Sequence, residues 1–121
     1  ATGREYKVFG YQGKQVRDTI HSFDLVNAFY HFYRSPRQAA VYNMGGSRFS
    51  NCSLQEAVAL SERITGNRMK IRYLRRNRSG DHIWWISDVS RFKQDYPGWD
   101  LTRNIEQILA EIFMHNRSRW L

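Results

Sequence analysis

Residues 53–66 read SLQEAVALSERITG. Ser53 followed three positions later by Glu56 is a capping box, in which the hydroxyl accepts from the backbone N–H of Glu56 while the carboxylate reaches back to that of Ser53. Leu54, Ala57, Val58 and Ile64 recur on one side of a 3.6-residue repeat, and Gly66 is a natural left-handed stop. The spacing predicts a helix with one buried stripe. On its N-terminal side, Ala39 to Asn43 is a short apolar run without alternation, leading into Gly45-Gly46; it reads as a strand buried on both faces, as in a parallel sheet. On its C-terminal side Met69, Ile71 and Tyr73 alternate with Lys70 and Arg72, the pattern of a half-buried strand. A helix set between two strands points to an α/β fold.

Further out, Tyr6–Tyr11 and Val16–His21 read as strands around the turn Gln12-Gly13-Lys14. Val16 and Ile20 share one face of the second strand, so Arg17 faces the other way, open to a ligand or to water. A helix begins at Ser22, with Leu25, Val26, Phe29, Phe32 and Tyr33 as its inward stripe, Asp24 in its first turn and Pro36 closing it. A third helix is expected from Ser87, with Val89, Phe92 and Tyr96 inward and Pro97-Gly98 as its end. A last one, from about Thr102, carries Ile105, Ile108, Leu109, Ile112 and Phe113. The order is β-β-α-β-α-β-α-α.

The 121 residues suit one domain, and 41% apolar content is enough for a core. No run approaches the length of a membrane span, and the basic start is not a signal peptide. With one cysteine, Cys52, no internal disulfide can form, so a cytoplasmic setting is expected. The net charge is +8, from fifteen arginines and four lysines against eleven acids. From Arg63 to Arg78 inclusive there are seven basic residues and no acid. Such a run is either a solvated face or a surface for phosphate, which guanidinium grips in a fixed two-pronged geometry.

No metal constellation stands out: His21, His31, His82 and His115 are scattered, and Cys52 has no cysteine partner nearby. Asp81, His82 and Asp88 read as a turn histidine beside a helix-capping acid rather than as cation ligands. Gly45-Gly46-Ser47 lacks the glycine spacing of a dinucleotide turn and the lysine of a P-loop, and reads as a tight turn. The remaining candidates for holding a ligand are Arg17, Arg78 and Asp81. The last two flank the turn Arg78-Ser79-Gly80-Asp81, where Gly80 would let both face one ligand.

Taken in order, Gly13 to His21 with Asp24-Leu25, then Val41-Tyr42-Asn43-Met44-Gly45-Gly46, the 53–66 helix, and Arg78-Ser79-Gly80-Asp81 resemble the extended short-chain dehydrogenase/reductases that act on nucleotide sugars. With His82-Ile83-Trp84-Trp85-Ile86-Ser87-Asp88 and Tyr96-Pro97-Gly98-Trp99, the nearest likeness within that family is to the CDP-paratose 2-epimerases. The resemblance runs from Val8 to about Ile112. It implies that residues 1–121 are the C-terminal, nucleotide-sugar-binding portion of a Rossmann-type enzyme whose NAD-binding domain lies elsewhere. The glycine-rich NAD fingerprint is absent from this sequence, and none of its seven tyrosines has a lysine four residues later, so no catalytic residue is assigned.

By the same resemblance, Arg17 and Arg78 bind the substrate diphosphate, Asp81 accepts from ribose hydroxyls, and Phe9 and Tyr11 could line the base. The implied parent enzyme inverts C2 of a CDP-linked dideoxyhexose with bound NAD and no metal, and is a homo-oligomer. Trp84 and Trp85 read as core or wall. The competing readings are a basic nucleic-acid-binding domain and a nucleotide-binding domain without chemistry. The first needs arginines interleaved with exposed aromatics, whereas the aromatics here fall on stripes predicted to be buried.

Overall fold

The capping box forms as its residues dictate. In the computed structural model, which describes residues 2–120, Ser53 Oγ accepts from the Glu56 N–H at 3.2 Å and the Ser53 N–H donates to Glu56 Oε2 at 2.7 Å. The helix ends at Gly66 in the left-handed region, φ 71°, with its N–H on the Glu62 carbonyl. The strands are β1 (Glu5–Phe9), β2 (Val16–Asp18), β3 (Asn51–Ser53), β4 (Lys70–Leu74) and β5 (Trp84–Trp85). The helices are α1 (Ser22–Arg34), α2 (Leu54–Thr65), α3 (Ser90–Asp95) and α4 (Ile105–Trp120). The α/β class stands. The chain forms two compact units, one from the residues up to Arg17, Cys52–Trp85 and the residues from Glu106 onward, the other from Asp18–Asn51 and Ile86–Ile105.

In the first unit β1 and β4 pair in parallel, from Glu5↔Lys70 to Phe9↔Leu74, and Val8 is fully buried. The ladder continues one step into the next turn, where the Gly10 N–H donates to the Leu74 carbonyl at 2.9 Å. A second sheet has the order β3-β2-β5, with β2 and β5 parallel and Val16↔Trp84 and Arg17↔Trp85 in register. Helix α2 has no fully buried residue; Leu54, Ala57, Val58 and Ile64 are half-buried.

The second unit holds the aromatic core. Ala28, Val89, Phe92, Tyr96, Trp99 and Leu101 are buried together, with Ile20, Phe32, Tyr42 and Met44 against them. Phe92 sits centrally, 4.9 Å from the Trp99 ring and 5.1 Å from the Tyr42 ring, both edge to face. Val89, Phe92 and Tyr96 thus point inward as their spacing predicts, although α3 begins at Ser90 rather than Ser87. Just ahead of it, Asp88 accepts from the Ser90 N–H at 2.9 Å, and the Ser90 side chain and then that N–H lower the Asp88 pKa.

Three expectations fail. The inward side of α1 is Asp24 and Ala28, with Phe32 half-buried; Val26, Phe29 and Tyr33 are exposed. Asp24 sets this rotation. Wholly buried, its carboxylate accepts from the Thr102 N–H (2.9 Å), the Thr102 hydroxyl (2.5 Å) and the Arg103 N–H (3.3 Å), while its carbonyl accepts from the Trp99 indole. A carboxylate with three donors outweighs the pull of any one aromatic.

Ala39–Asn43 is not a strand. Ala39 lies at φ 54°, the Ala40 N–H turns back to the Arg37 carbonyl, and Val41 is 75% exposed. A strand requires an edge to pair with, and among the described residues none runs beside this segment. Tyr42 alone enters the core, where its hydroxyl donates to Asp95 Oδ2 at 2.7 Å. The third strand is 51–53 instead, and α4 starts at Ile105 rather than near Thr102. Finally, of the core-or-wall reading of Trp84 and Trp85 the core half fails: they are 62% and 54% exposed.

Candidate nucleotide-sugar site

The turn after β1 is built from four consecutive residues of positive φ: Gly10 (62°), Tyr11 (49°), Gln12 (53°) and Gly13 (74°). For a bulky residue such as Tyr11 this conformation costs about 1–2 kcal/mol and persists only where its surroundings impose it. Here they do. The Gln55 side chain donates to the Gln12 carbonyl at 2.7 Å, the Lys14 N–H to the Tyr11 carbonyl at 2.9 Å, and the Tyr11 hydroxyl to the Asp81 carbonyl at 3.3 Å. A Cβ on Gly10 would lie 1.8 Å from Asn77 Oδ1, so only glycine lets this turn pack against the loop after β4.

That loop holds two of the predicted residues. The Asp81 N–H returns to the Arg78 carbonyl at 3.2 Å, with Gly80 left-handed at φ 74°, so Arg78 and Asp81 stand at the two ends of a closed turn as expected. The Arg78 guanidinium lies over the Phe9 ring, 4.8 Å from its centre. Arg17 reaches the same loop from β2, with Nη2 on Asp81 Oδ1 at 2.6 Å and also on the His82 carbonyl. Its Nη1 is held by the Val16 carbonyl at 2.7 Å. The Arg17 and Asp81 side chains remain 36% and 21% exposed, so the pair is reachable from solvent.

All five residues singled out in the sequence, Phe9, Tyr11, Arg17, Arg78 and Asp81, are therefore tied together by direct contacts within one unit. The pairing of Arg17 with Asp81 was not legible beforehand, because it depends on the β2–β5 register. Nor was the aromatic pair at the other end of the site, where the His82 ring lies 5.1 Å from the Trp85 ring. An open depression of about 630 Å³, lined by Gly10, Tyr11, Gln12, Tyr73, Leu74 and Arg75, adjoins the positive-φ turn. A slightly larger cavity, about 700 Å³ and walled by Ile64, Met69, Leu109 and Phe113 among others, contains none of the candidate residues.

Elsewhere two groups that could do chemistry are shifted toward their protonated forms. Burial, and then Glu56, push the Cys52 thiol up, away from the thiolate form. Burial and the bond to Asp95 push Tyr42 up to about 12. The Gly45-Gly46 turn offers no dinucleotide cradle: a Cβ on Gly45 would meet Asp18 Oδ2 at 2.2 Å, and one on Gly46 the Thr19 carbonyl at 2.2 Å. The Ser47 N–H is taken by Asp18 and the Ser50 N–H by the Gly46 carbonyl. Among the described residues no three His, Cys, Asp or Glu side chains gather to hold a metal, and no helix is long and apolar enough to cross a membrane.

Comparison with known proteins places the fold in a class. No family model matches the chain. UDP-arabinose 4-epimerase 1 of Arabidopsis thaliana is 36% identical over 95 residues, 77% of this chain and 22% of that protein. The solved structure of MoeE5 with UDP-glucuronic acid and NAD is 29% identical, with a TM-score of 0.80, over 96% of this chain and 38% of that one. UDP-glucose 4-epimerase of Stenotrophomonas maltophila, solved with NAD and formylated UDP-arabinopyranose, is 27% identical, with a TM-score of 0.76, over 95% and 36%. The chain has the fold of the C-terminal part of Rossmann-type, NAD-dependent sugar epimerases and dehydratases. Its homologues are UDP-arabinose 4-epimerases and other extended short-chain dehydrogenase/reductases of that group, and it spans about a fifth of the length of the curated relatives it matches.

Proposed function

We propose that this chain is the nucleotide-sugar-gripping portion of an NAD-dependent nucleotide-sugar epimerase. The observation that carries the reading is the Arg17–Asp81 pair at one end of the Arg78–Asp81 turn, with Arg78 on Phe9 at the other. Two guanidiniums suit a diphosphate, and the carboxylate oxygens suit ribose hydroxyls. Phe9 and Tyr11, beside the open depression, supply flat apolar surface for a base. The work of these residues is orientation: they fix the nucleotide so that the sugar is presented in one pose. NAD supplies the hydride chemistry in such enzymes. The filled Gly45-Gly46 turn gives it no seat here, so we assign it to a portion outside this chain.

Two of the named relatives are UDP-sugar 4-epimerases and MoeE5 was solved with UDP-glucuronic acid, which favours uridine and a 4-epimerase. The stretch His82–Asp88 with Tyr96–Trp99 supports the second reading, C2 inversion of CDP-paratose to CDP-tyvelose in a cytoplasmic polysaccharide pathway. Calorimetric titration with UDP, CDP and pyrophosphate tests both. Either nucleotide should bind more tightly than pyrophosphate, and the tighter of the two names the base. Equal binding of all three would remove the ribose and base contacts from the proposal. The nucleic-acid alternative loses one of its counter-arguments, since the α1 aromatics are exposed after all; the relatives still weigh against it.

A further inference from the structure

Strand alternation and register sort the β1–β4 sheet into two faces. Glu5, Lys7 and Phe9 lie on one, beside their parallel partners Lys70, Arg72 and Leu74; Val8 is buried on the other. Lys7, Lys70 and Arg72 are all exposed. Lys7 stands directly opposite Arg72, and like charges set opposite one another in a sheet repel and cost stability. Among the described residues none of these three cations forms an ion pair, whereas Arg17, Arg37, Arg63 and Lys93 each have a carboxylate.

The face has a direction. Phe9, at its C-terminal end, carries the Arg78 guanidinium. At about 3.3 Å per residue, Lys7 and Arg72 lie about 7 Å back along the strands from Phe9 and Leu74, and Lys70 about 13 Å. Past Leu74 comes Arg75, on the wall of the open depression. The cations form a row that ends at the proposed diphosphate grip. Over such spacings a cation acts on an anion through its field, which reaches about 10 Å at 0.1 M salt and about 30 Å at 0.01 M.

We propose that this face is a capture surface for the doubly charged nucleotide sugar: Lys70, Lys7 and Arg72 draw the diphosphate from solution along the sheet and deliver it to Arg78 and Arg17. The proposal rests on the nucleotide-sugar reading above and adds to it the route of entry. The row acts on association, because an anion feels its attraction before it is seated. Once seated, the ligand is held by the cluster of Arg17, Arg78 and Asp81. A neutral nucleoside gains nothing from the row.

Stopped-flow rates for UDP-glucose from tryptophan emission, checked against calorimetric affinity, test this on wild type and the Lys7→Gln/Arg72→Gln double variant. At about 10 mM salt the variant should bind about 5- to 10-fold more weakly, all of it in the association rate, with dissociation unchanged. At about 300 mM salt the two proteins should agree within about twofold, and uridine should not distinguish them at either salt. Removing the facing charges should leave Tm unchanged or raise it, which shows that the variant is folded. The same loss at both salts, or a loss carried by dissociation, would overturn the capture surface and make Lys7 and Arg72 direct contacts. Unchanged affinity at low salt, or equal weakening of uridine, would overturn it as well. So would a single-stranded oligonucleotide that binds more tightly than UDP-glucose and loses that binding in the variant, the mark of a polymer surface. The nucleotide-sugar reading falls separately, if Arg78→Ala leaves UDP-glucose affinity at high salt untouched.

Discussion

Asp81 is asked to do two things, and Asp81→Ala separates them. Its Oδ1 holds Arg17 at 2.6 Å, and the carboxylate is also the group proposed to accept from ribose. Consider pyrophosphate first. A phosphate seated on the far side of the guanidinium would lie about 6 Å from the carboxylate, a like-charge repulsion of about 0.7 kcal/mol at the dielectric of water and about 3 kcal/mol at an effective value of 20. With both side chains partly in solvent, a value near about 1 kcal/mol is appropriate. Removing the carboxylate relieves that repulsion, but it also frees Arg17 to move, at an entropic cost of about 0.5–1 kcal/mol on binding. The two nearly cancel.

For UDP or CDP the same two terms apply, and a third is added, the loss of a charged hydrogen bond to ribose, about 1–2 kcal/mol. Asp81→Ala should therefore weaken the nucleotide about 5- to 30-fold and leave pyrophosphate unchanged or slightly tighter. Calorimetry with both ligands against both proteins reads this directly. If pyrophosphate weakens as much as the nucleotide, Asp81 serves only to hold Arg17 and the ribose assignment is wrong. If the variant instead binds an oligonucleotide more tightly with no change toward UDP, a polymer surface is the better reading.

Arg78→Ala should weaken nucleotide and pyrophosphate together, since its guanidinium is assigned to the diphosphate; a loss confined to the nucleotide would mean that its place over Phe9 matters only to the base. Asp24→Ala should cost about 3 kcal/mol in urea denaturation, because it strands the Thr102 and Arg103 donors in a buried setting. Ser53→Ala should lower stability by about 1 kcal/mol, or Tm by about 4 °C. The bonds to Ser53 lower the Glu56 pKa, so the stability that carboxylate adds is present above its ordinary pKa of 4.5 and is lost as pH falls through the lowered folded value. Wild type and Glu56→Gln should accordingly differ in Tm at pH 7 and converge in strong acid. The isolated chain should neither retain NAD nor convert UDP-glucose or CDP-paratose, as measured by equilibrium dialysis and product chromatography; turnover of either would place catalysis in residues assigned here only to binding.

The elements that were legible in advance are those whose signals are local. A capping box, a left-handed glycine and a 3.6-residue stripe are complete within fourteen residues, and α2 formed where they said it would. Alternation placed β4 for the same reason. The errors arose where a decisive partner is distant. Nothing within Ser22–Arg34 reveals that Asp24 will be met by Thr102 and Arg103, some 78 and 79 positions away, and that contact turns α1 so that its aromatics face outward. Ala39–Asn43 has strand composition, but composition cannot supply an edge, and without one the segment turns at Ala39 and spends its apolar side chains singly.

The site divides along the same line. Arg78, Gly80 and Asp81 could be read together because a glycine turn brings residues three apart to one side whatever the rest of the chain does. Arg17 could be placed off the core face by strand alternation, but its partner could not be named: the bond to Asp81 spans 64 positions and depends on β2 and β5 being parallel with Arg17 opposite Trp85. That register also decides the two tryptophans. Adjacent apolar aromatics read as buried because burial is their usual fate, yet a two-residue strand shows one ring to each face of its sheet. Both rings stay more than half exposed, and the one on the Arg17 side is carried to the anchor of the candidate site. What had looked like the most apolar stretch of wall is, among the described residues, half open to solvent.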